Sequence, residues 1–214
     1  MVRYANTYIY IYIASCKILT ENQLGSAPGT LAAKEQMVRN SAIVETALRQ
    51  GGKLEVCWLD IKKAYDSVPH EYIREVLRRY KIDEGVKRLI EGAMTNWKTT
   101  MKFTRNRESV DLGEAKVMTG IYQGDSMSPL LFIMALNPIS RWLNKADEGA
   151  KLRIENEEAD MKVNHLLYMD DIKLITTNNQ DLQKLVRTVG KGFAEIGLNL
   201  SEAKCRFTGT DASQ

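Results

Sequence analysis

Histidine and cysteine are scarce in this chain, and its charges nearly balance. The two histidines, His70 and His165, lack a partner pattern and are assigned no role: His165 reads as packed beside its strand, His70 as part of a first helical turn. The three cysteines, Cys16, Cys57 and Cys205, are widely spaced. They form no metal-ligand pattern and cannot all pair, which favours a reducing, intracellular setting over secretion. A net charge of +3 does not announce a nucleic-acid binder, so the local distribution of charge has to carry that argument. There is no internal repeat, no low-complexity tract and no apolar run long enough to span a bilayer. Tyr8 to Ala14 comes nearest and is too short. Arg3 and the small residues at Ala14-Ser15-Cys16 imitate a signal peptide only weakly, and nothing downstream looks secreted. The Tyr/Ile alternation suggests a strand that would have to be buried on both faces.

What is present is an ordinary globular balance. Hydrophobic residues make up 44% and charged residues 27% of 214 residues, enough for one domain or two small ones with a sizeable core. Within it, Asn164 to Ile175 holds two adjacent aspartates in an otherwise apolar run. Leu166, Leu167 and Tyr168 before them, and Ile172, Leu174 and Ile175 after, favour strand. Asp favours turns, so Asp170 and Asp171 are expected at or beside the tip of a hairpin. Neighbouring carboxylates repel, and a bound divalent cation relieves both the repulsion and the cost of burial. An Asp-Asp turn in a solvated hairpin is the plain alternative.

The other elements follow from spacing. Asn22 to Thr30 is rich in turn formers and reads as a loop. Thr30 is expected to cap a helix running to Gln50, with Met37, Val44 and Leu48 as its stripe and Gly51-Gly52 as its stop. Leu54 to Asp60 reads as a strand closed by Asp60, with Leu54, Val56 and Trp58 on one face. Two amphipathic helices follow, one opened by Pro69 and one capped by Asp83. Lys98 to Phe103 and Val117 to Tyr122 read as strands around a polar hairpin holding Lys98, Lys102, Arg105 and Arg107. On composition alone this is a solvated basic face. Ser128-Pro129 opens a helix that is apolar all round from Leu130 to Leu136, which predicts burial on every side, and Pro138 is expected to kink or end it. A polar loop is expected from Asn144 to Asp160. Asn179 is expected to cap the last helix and Gly197 to stop it. Leu198 to Leu200 and Cys205 to Phe207 are short strand candidates. Trp58, Trp97 and Trp142 fall on apolar faces and read as core. The order predicts an α+β fold, a sheet with helices packed on one face.

If the strands ending at Asp60 and at the Asp-Asp turn are neighbours, three carboxylates converge. Hard oxygen donors suit magnesium, with water and substrate phosphates completing the shell. Two such ions about 3.5–4 Å apart are the arrangement polymerases use for in-line phosphoryl displacement.

The motifs carry a family resemblance. Leu59-Asp60-Ile61-Lys62-Lys63-Ala64-Tyr65-Asp66 resembles the first palm motif of reverse transcriptases. Gly120 to Phe132 (GIYQGDSMSPLLF) resembles the next, Tyr168-Met169-Asp170-Asp171 the YxDD signature, and Gly197-Leu198-Asn199-Leu200 with Lys204 the fourth. All occur in the family's order, and QGDSMSPLLF with Lys-Ala-Tyr-Asp is most similar to non-LTR, LINE-type retrotransposon enzymes. The resemblance implies a polymerase palm with an antiparallel sheet and incomplete fingers. It implies Asp60, Asp170 and Asp171 as the catalytic carboxylates around two Mg2+ ions, for which Mn2+ can substitute, with the Ile61 carbonyl a further ligand. Tyr65 matches the aromatic that packs under the incoming sugar and rejects a 2′-hydroxyl, which argues against a ribonucleotide-polymerising relative. Gln123 and Gly124 match the turn along template and nucleotide, and Lys204 a lysine that neutralises the leaving pyrophosphate. Implied partners are an RNA template, a DNA primer and deoxynucleoside triphosphates, with no membrane, and the implied location is the nucleus.

The resemblance also sets boundaries. Residues 1–16 have no counterpart in the pattern, 17–53 match part of the fingers, and 54–214 match the palm. The Arg-Pro-Ile type finger motif that holds the triphosphate has no match, and too few residues follow the fourth motif for a thumb. A partial or degraded copy that folds, or binds nucleic acid without polymerising, is the alternative expectation.

Overall fold

A computed structural model describes residues 2–105, 108–124, 126–153 and 160–210. Arg107 of the basic hairpin, Asp125 of the second motif and residues 154–159 of the expected polar loop lie outside the described residues. The elements in order are α1 (Val2–Ser15), α2 (Ala33–Arg49), β1 (Leu54–Leu59), α3 (Ala64–Ser67), α4 (His70–Arg79), α5 (Glu84–Thr95), β2 (Lys98–Arg105), β3 (Glu108–Lys116), α6 (Ser128–Lys145), β4 (Ala150–Leu152), β5 (Met161–Val163), β6 (His165–Tyr168), β7 (Asp171–Thr176), α7 (Asn179–Glu195) and β8 (Arg206–Thr210).

The central sheet has the order β6-β7-β1-β8, and every adjacent pair is antiparallel. Because side chains alternate, its two faces have different fates. Cys57, Leu59, Leu167, Ile172 and Leu174 point into the main core, together with residues of α6 and α7. Val56, Leu166 and Ile175 point the other way, where Ile43 and Ala47 of α2 cover one end of the sheet. The helices α6 and α7 thus lie on one face, and α2 together with Ala150 and Leu152 of β4 covers part of the opposite face.

The helix Leu130–Leu136 is buried as expected, with every side chain at most 5% exposed. α6 does not end at Pro138. It continues to Lys145 and buries Ile139 and Leu143. Asn137, one residue earlier and fully buried, ties the helix to its surroundings. Its Nδ2 donates to Ile18 O (2.8 Å) and Tyr80 Oη (2.7 Å), and its Oδ1 accepts from Thr20 N–H (2.9 Å).

Several expectations are corrected. Tyr8 to Ala14 lies in helix α1, not in a strand: Ala5, Ile9 and Ile13 recur one turn apart and are buried, while Tyr4, Tyr10 and Ile11 face outward. One buried face is enough for a helix, whereas the strand needed two. In α2 the buried residues are Ile43 and Ala47, and Met37 and Leu48 are exposed. Thr30 does not cap that helix; its hydroxyl closes the preceding loop, donating toward Leu24 O and Ala27 O. The strand expected at Val117 to Tyr122 is replaced by β3 further upstream. The backbone there bonds instead to α3 and its flank, through Gly120 N–H to Val68 O (2.9 Å) and Ile121 N–H to Tyr65 O (2.7 Å). Asn178, not Asn179, caps α7. Leu198 to Leu200 makes only a bridge to Ile61, and the second short strand begins at Arg206. Trp58 and Trp142 are each 41% exposed rather than core. Lys173 Nζ lies over the Trp58 ring, 5.0 Å from its centroid.

His165 is the buried polar centre of the sheet. Its Nδ1 lies 2.6 Å from Asn164 Oδ1, its Nε2 2.7 Å from Ser140 Oγ. Asn164 Nδ2 donates to Leu143 O and Glu148 O, so Asn164 Oδ1 can only accept. Nδ1 therefore carries the proton and Nε2 accepts from Ser140. Burial pushes the imidazole pKa down to about 3, so it stays neutral.

Candidate active site

Two neighbouring strands bring the motif aspartates together. Leu59 pairs with Ile172 and Tyr168 with Asp171. One step further along the register sets Asp60, at the end of β1, beside Asp171, at the start of β7. The segment after Asp60 is held by the fourth motif: Ser201 N–H donates to Asp60 O (2.8 Å), Lys62 N–H donates to Asn199 O (2.8 Å), and Ile61 bridges Leu200. Lys63 then takes a left-handed conformation (φ 47°), which turns the chain into α3 and delivers Tyr65.

The electrostatics are those of crowded carboxylates. Partial desolvation pushes the Asp171 carboxyl above its ordinary range, and the negative charges of Asp170 and Asp60 push it further. Lys204 opposes them. Lys204 Nζ stands 3.4 Å from Asp60 Oδ2, an ion pair rather than a hydrogen bond, and this oxygen is buried without a hydrogen-bond partner. A buried, unsatisfied carboxylate oxygen among like charges is what a cation would satisfy. Among the described residues no three His, Cys, Asp or Glu side chains gather closely enough to enclose an ion by themselves.

Tyr65 reaches the same place. Its ring stacks on Phe132 of α6, with centroids 4.5 Å apart and planes 10° from parallel. Burial, then the Asp170 charge, push its hydroxyl up to about 12. Gln123 and Gly124 form an exposed turn, with Gly124 at φ +96°. Gln123 lines a cavity of about 270 Å3 with Asp66, Thr99 and Tyr122. Behind the turn, Gly120 is required: φ is +91°, and a Cβ would meet Asp66 O at 2.7 Å. His70 Nε2 lies 2.8 Å from Gly120 O and its ring meets Trp97 edge-on, so His70 helps seat this turn.

The basic hairpin is less concentrated than its composition suggests. β2 is exposed throughout. Alternation puts Lys98 and Lys102 on one face and Arg105 on the other. Lys98 pairs with Glu114 at 2.9 Å. The structure therefore does not bring Lys98, Lys102 and Arg105 together. Sequence reasoning missed Asn22 to Gly25, read as a loop, which runs parallel to β6 and abuts the Asp-Asp turn through a Gln23–Leu167 bridge. Turn-forming composition was its only signal, and that signal pointed elsewhere.

An antiparallel sheet with an aspartate ending its inner strand, an Asp-Asp turn beside it and helices behind is a polymerase palm. Comparison with known proteins makes the class specific. The profile described as reverse transcriptase (RNA-dependent DNA polymerase) matches residues 2–212. The chain belongs to this family, and within it to the non-LTR retrotransposon type. It is similar to the Pol polyprotein of the type-1 retrotransposable element R2 of Bradysia coprophila, 31% identical over 166 residues, which is 78% of this chain and 18% of that protein. The corresponding R2 protein of Nasonia vitripennis is 29% identical over 77% of this chain and 15% of its own length. The chain thus spans less than a fifth of either relative. Among solved structures, telomerase from Candida tropicalis in complex with a TWJ fragment of telomeric RNA superposes with TM-score 0.69 and 13% identity over 100% of this chain and 34% of that one, a likeness of fold. Reverse transcriptases generally use divalent metal ions. Among the described residues no helix is long and apolar enough to cross a membrane.

Proposed function

We propose that this chain carries the palm and part of the fingers of an RNA-directed DNA polymerase, with residues 17–53 in the fingers and the palm starting at residue 54. The observation that carries the reading is the strand register that sets Asp60 beside the Asp170-Asp171 turn. The reaction is template-directed nucleotidyl transfer from deoxynucleoside triphosphates to a DNA primer on an RNA template. Asp60 and Asp170 would hold two Mg2+ ions, with the Ile61 carbonyl as a further donor and Asp171 as the adjacent carboxylate. When bound, such ions activate the primer hydroxyl and stabilise the leaving pyrophosphate oxygen.

The chain's own residues do the rest. Tyr65, braced on Phe132, presents a rigid surface to the sugar and blocks a 2′-hydroxyl. Gln123 and Gly124 offer backbone to the template and nucleotide at an exposed turn. Lys204, drawn toward Asp60, offers a positive charge to the pyrophosphate. Lys98 and Lys102 offer phosphate contacts from one face of the hairpin, and Arg105 from the other.

A second reading, a remnant that folds without polymerising, rests on the triphosphate-holding Arg-Pro-Ile type finger motif, which has no match in the sequence. Primer extension on an RNA template, with magnesium and deoxynucleotides, separates the two. Extension by the parent and none by Asp170→Ala/Asp171→Ala supports the polymerase. Mg2+ or Mn2+ binding that requires the aspartates, with no extension, supports the remnant.

A further inference from the structure

The two-residue connection between β6 and β7, Met169-Asp170, has an unusual backbone. Met169 has φ +55°, and Asp170 is not among the positive-φ residues. That combination belongs to a hairpin turn whose first central position is favourable to glycine. A methionine holds it here, directly before the aspartates, so something outside the hairpin has to stabilise the turn.

Gln23 makes the contacts that do so. It is 2% exposed, although it lies in a segment of turn formers. Its Oε1 accepts from Met169 N–H at 3.1 Å and from Gly25 N–H at 3.0 Å, and its Nε2 donates to Met169 O at 3.4 Å. Both ends of the side-chain amide are thus used on one residue of the turn. The backbone on either side is docked as well: Leu167 N–H donates to Asn22 O (2.8 Å), Leu24 N–H donates to Leu167 O (3.1 Å), and Asn22 Nδ2 donates to His165 O (2.9 Å). Gly25 completes the fit, because a Cβ there would lie 2.5 Å from Met169 N.

We propose that Gln23 is a positioning residue: it holds Met169 in its left-handed conformation and thereby sets the directions in which Asp170 and Asp171 point. The reasoning is geometric. The peptide that Gln23 grips is joined directly to Asp170, and Asp171 is paired with Tyr168 on the other side of the turn. Glutamine suits the position because it supplies an acceptor with two lone pairs and a donor on one rigid plane. A glutamate would lose the donor and add a charge next to the two aspartates. The proposal rests on the carboxylate site described above and concerns the aim of that site.

The test uses the full chain, 15N-labelled, with Mn2+ as the probe. Gln23→Met keeps the size of the side chain and removes all three bonds. The Met169 amide is expected to exchange about tenfold faster in this variant. Mn2+ affinity, read from the loss of free-ion EPR signal, is expected to fall about tenfold, as for other residues that orient metal ligands. Adding Met169→Gly to Gln23→Met is expected to restore most of the affinity, because glycine takes the positive φ unaided. A role in packing alone would give no such rescue. Retained protection of the Met169 amide, Mn2+ affinity equal to the parent's, or no rescue by Met169→Gly overturns the proposal.

If Gln23→Met does not fold, Gln23→Glu is used in its place. It is expected to keep the Met169 amide protected while shifting the Asp170 and Asp171 amide resonances, and loss of that protection would overturn the proposal. Mn2+ binding by the parent that survives Asp170→Ala/Asp171→Ala refutes the carboxylate site instead. Gln23 is then judged without metal: unshifted Asp170 and Asp171 amides in Gln23→Met overturn its role, and shifted ones sustain it.

Discussion

Lys204 holds its ammonium group 3.4 Å from Asp60 Oδ2, an oxygen that is buried and has no hydrogen-bond partner. The lysine comes from the fourth motif and the aspartate from the first, so this contact ties the two ends of the palm sequence across the site. It also makes Lys204 a competitor of any cation at Asp60. Lys204→Met should therefore tighten Mn2+ binding about threefold, since a partly exposed ion pair is worth under about 1 kcal/mol. The same variant should slow primer extension if the lysine serves the pyrophosphate. Mn2+ titration with single-turnover kinetics checks both halves.

Tyr65 is braced by Phe132, and its two functions are separable. Tyr65→Phe keeps the stack and should change stability by less than about 1 kcal/mol. Tyr65→Ala removes the stack and should cost about 2–3 kcal/mol in urea unfolding, while raising ribonucleotide incorporation relative to deoxynucleotide. A Tyr65→Ala chain with unaltered sugar discrimination would contradict the role assigned to this ring.

The stability of the fold should depend on pH through His165. Unfolded, its imidazole titrates near about 6.5. Folded, burial holds it down to about 3. Between these values the unfolded chain binds a proton that the folded chain does not, so stability rises with pH. The contribution is present in full above about 6.5 and is lost as pH falls toward 3, reaching on the order of 3–5 kcal/mol. Thermal melts from pH 7.5 down to about 4.5 should show the fall. His165→Gln should flatten it in that window.

Asn137 makes three hydrogen bonds from inside α6, to Ile18 and Thr20 of one segment and to Tyr80 of another. Asn137→Ala strands the Thr20 N–H, whereas Ile18 O still accepts from Arg141 Nη2 (2.7 Å). The substitution should cost about 3 kcal/mol, more than an exposed asparagine in the same helix. Denaturant midpoints of Asn137→Ala and Asn144→Ala make the comparison.

Much of the site was legible because its chemistry is local. An aspartate closing a strand, two aspartates turning a hairpin and a Ser-Pro opening a buried helix each occupy a short window where propensity and spacing agree. The order of elements followed from those windows, whereas Tyr65 and Lys204 stood out only through the resemblance of their motifs, since alone they read as a core tyrosine and a surface lysine. Asp83 capping α5 and Gly51-Gly52 ending α2 were readable for the same reason.

The misread residues share a different trait: their state depends on what packs against them. α1 alternates Tyr and Ile, a strand pattern by itself, yet it is a helix because α5 and α6 offer one apolar surface to Ala5, Ile9 and Ile13. α2 buries Ile43 and Ala47 because the sheet beneath it presents Val56, Leu166 and Ile175. Gln23 looks like a loop residue until Met169 arrives from the far end of the chain to receive its amide. The sequence by itself determined which residues can carry the chemistry, since charge, turn preference and ring size belong to each side chain. Only the tertiary structure decided where Asp60 meets the Asp-Asp turn, and what holds that turn in a conformation its own methionine disfavours, because strand register and long-range hydrogen bonds exist only between segments distant in sequence.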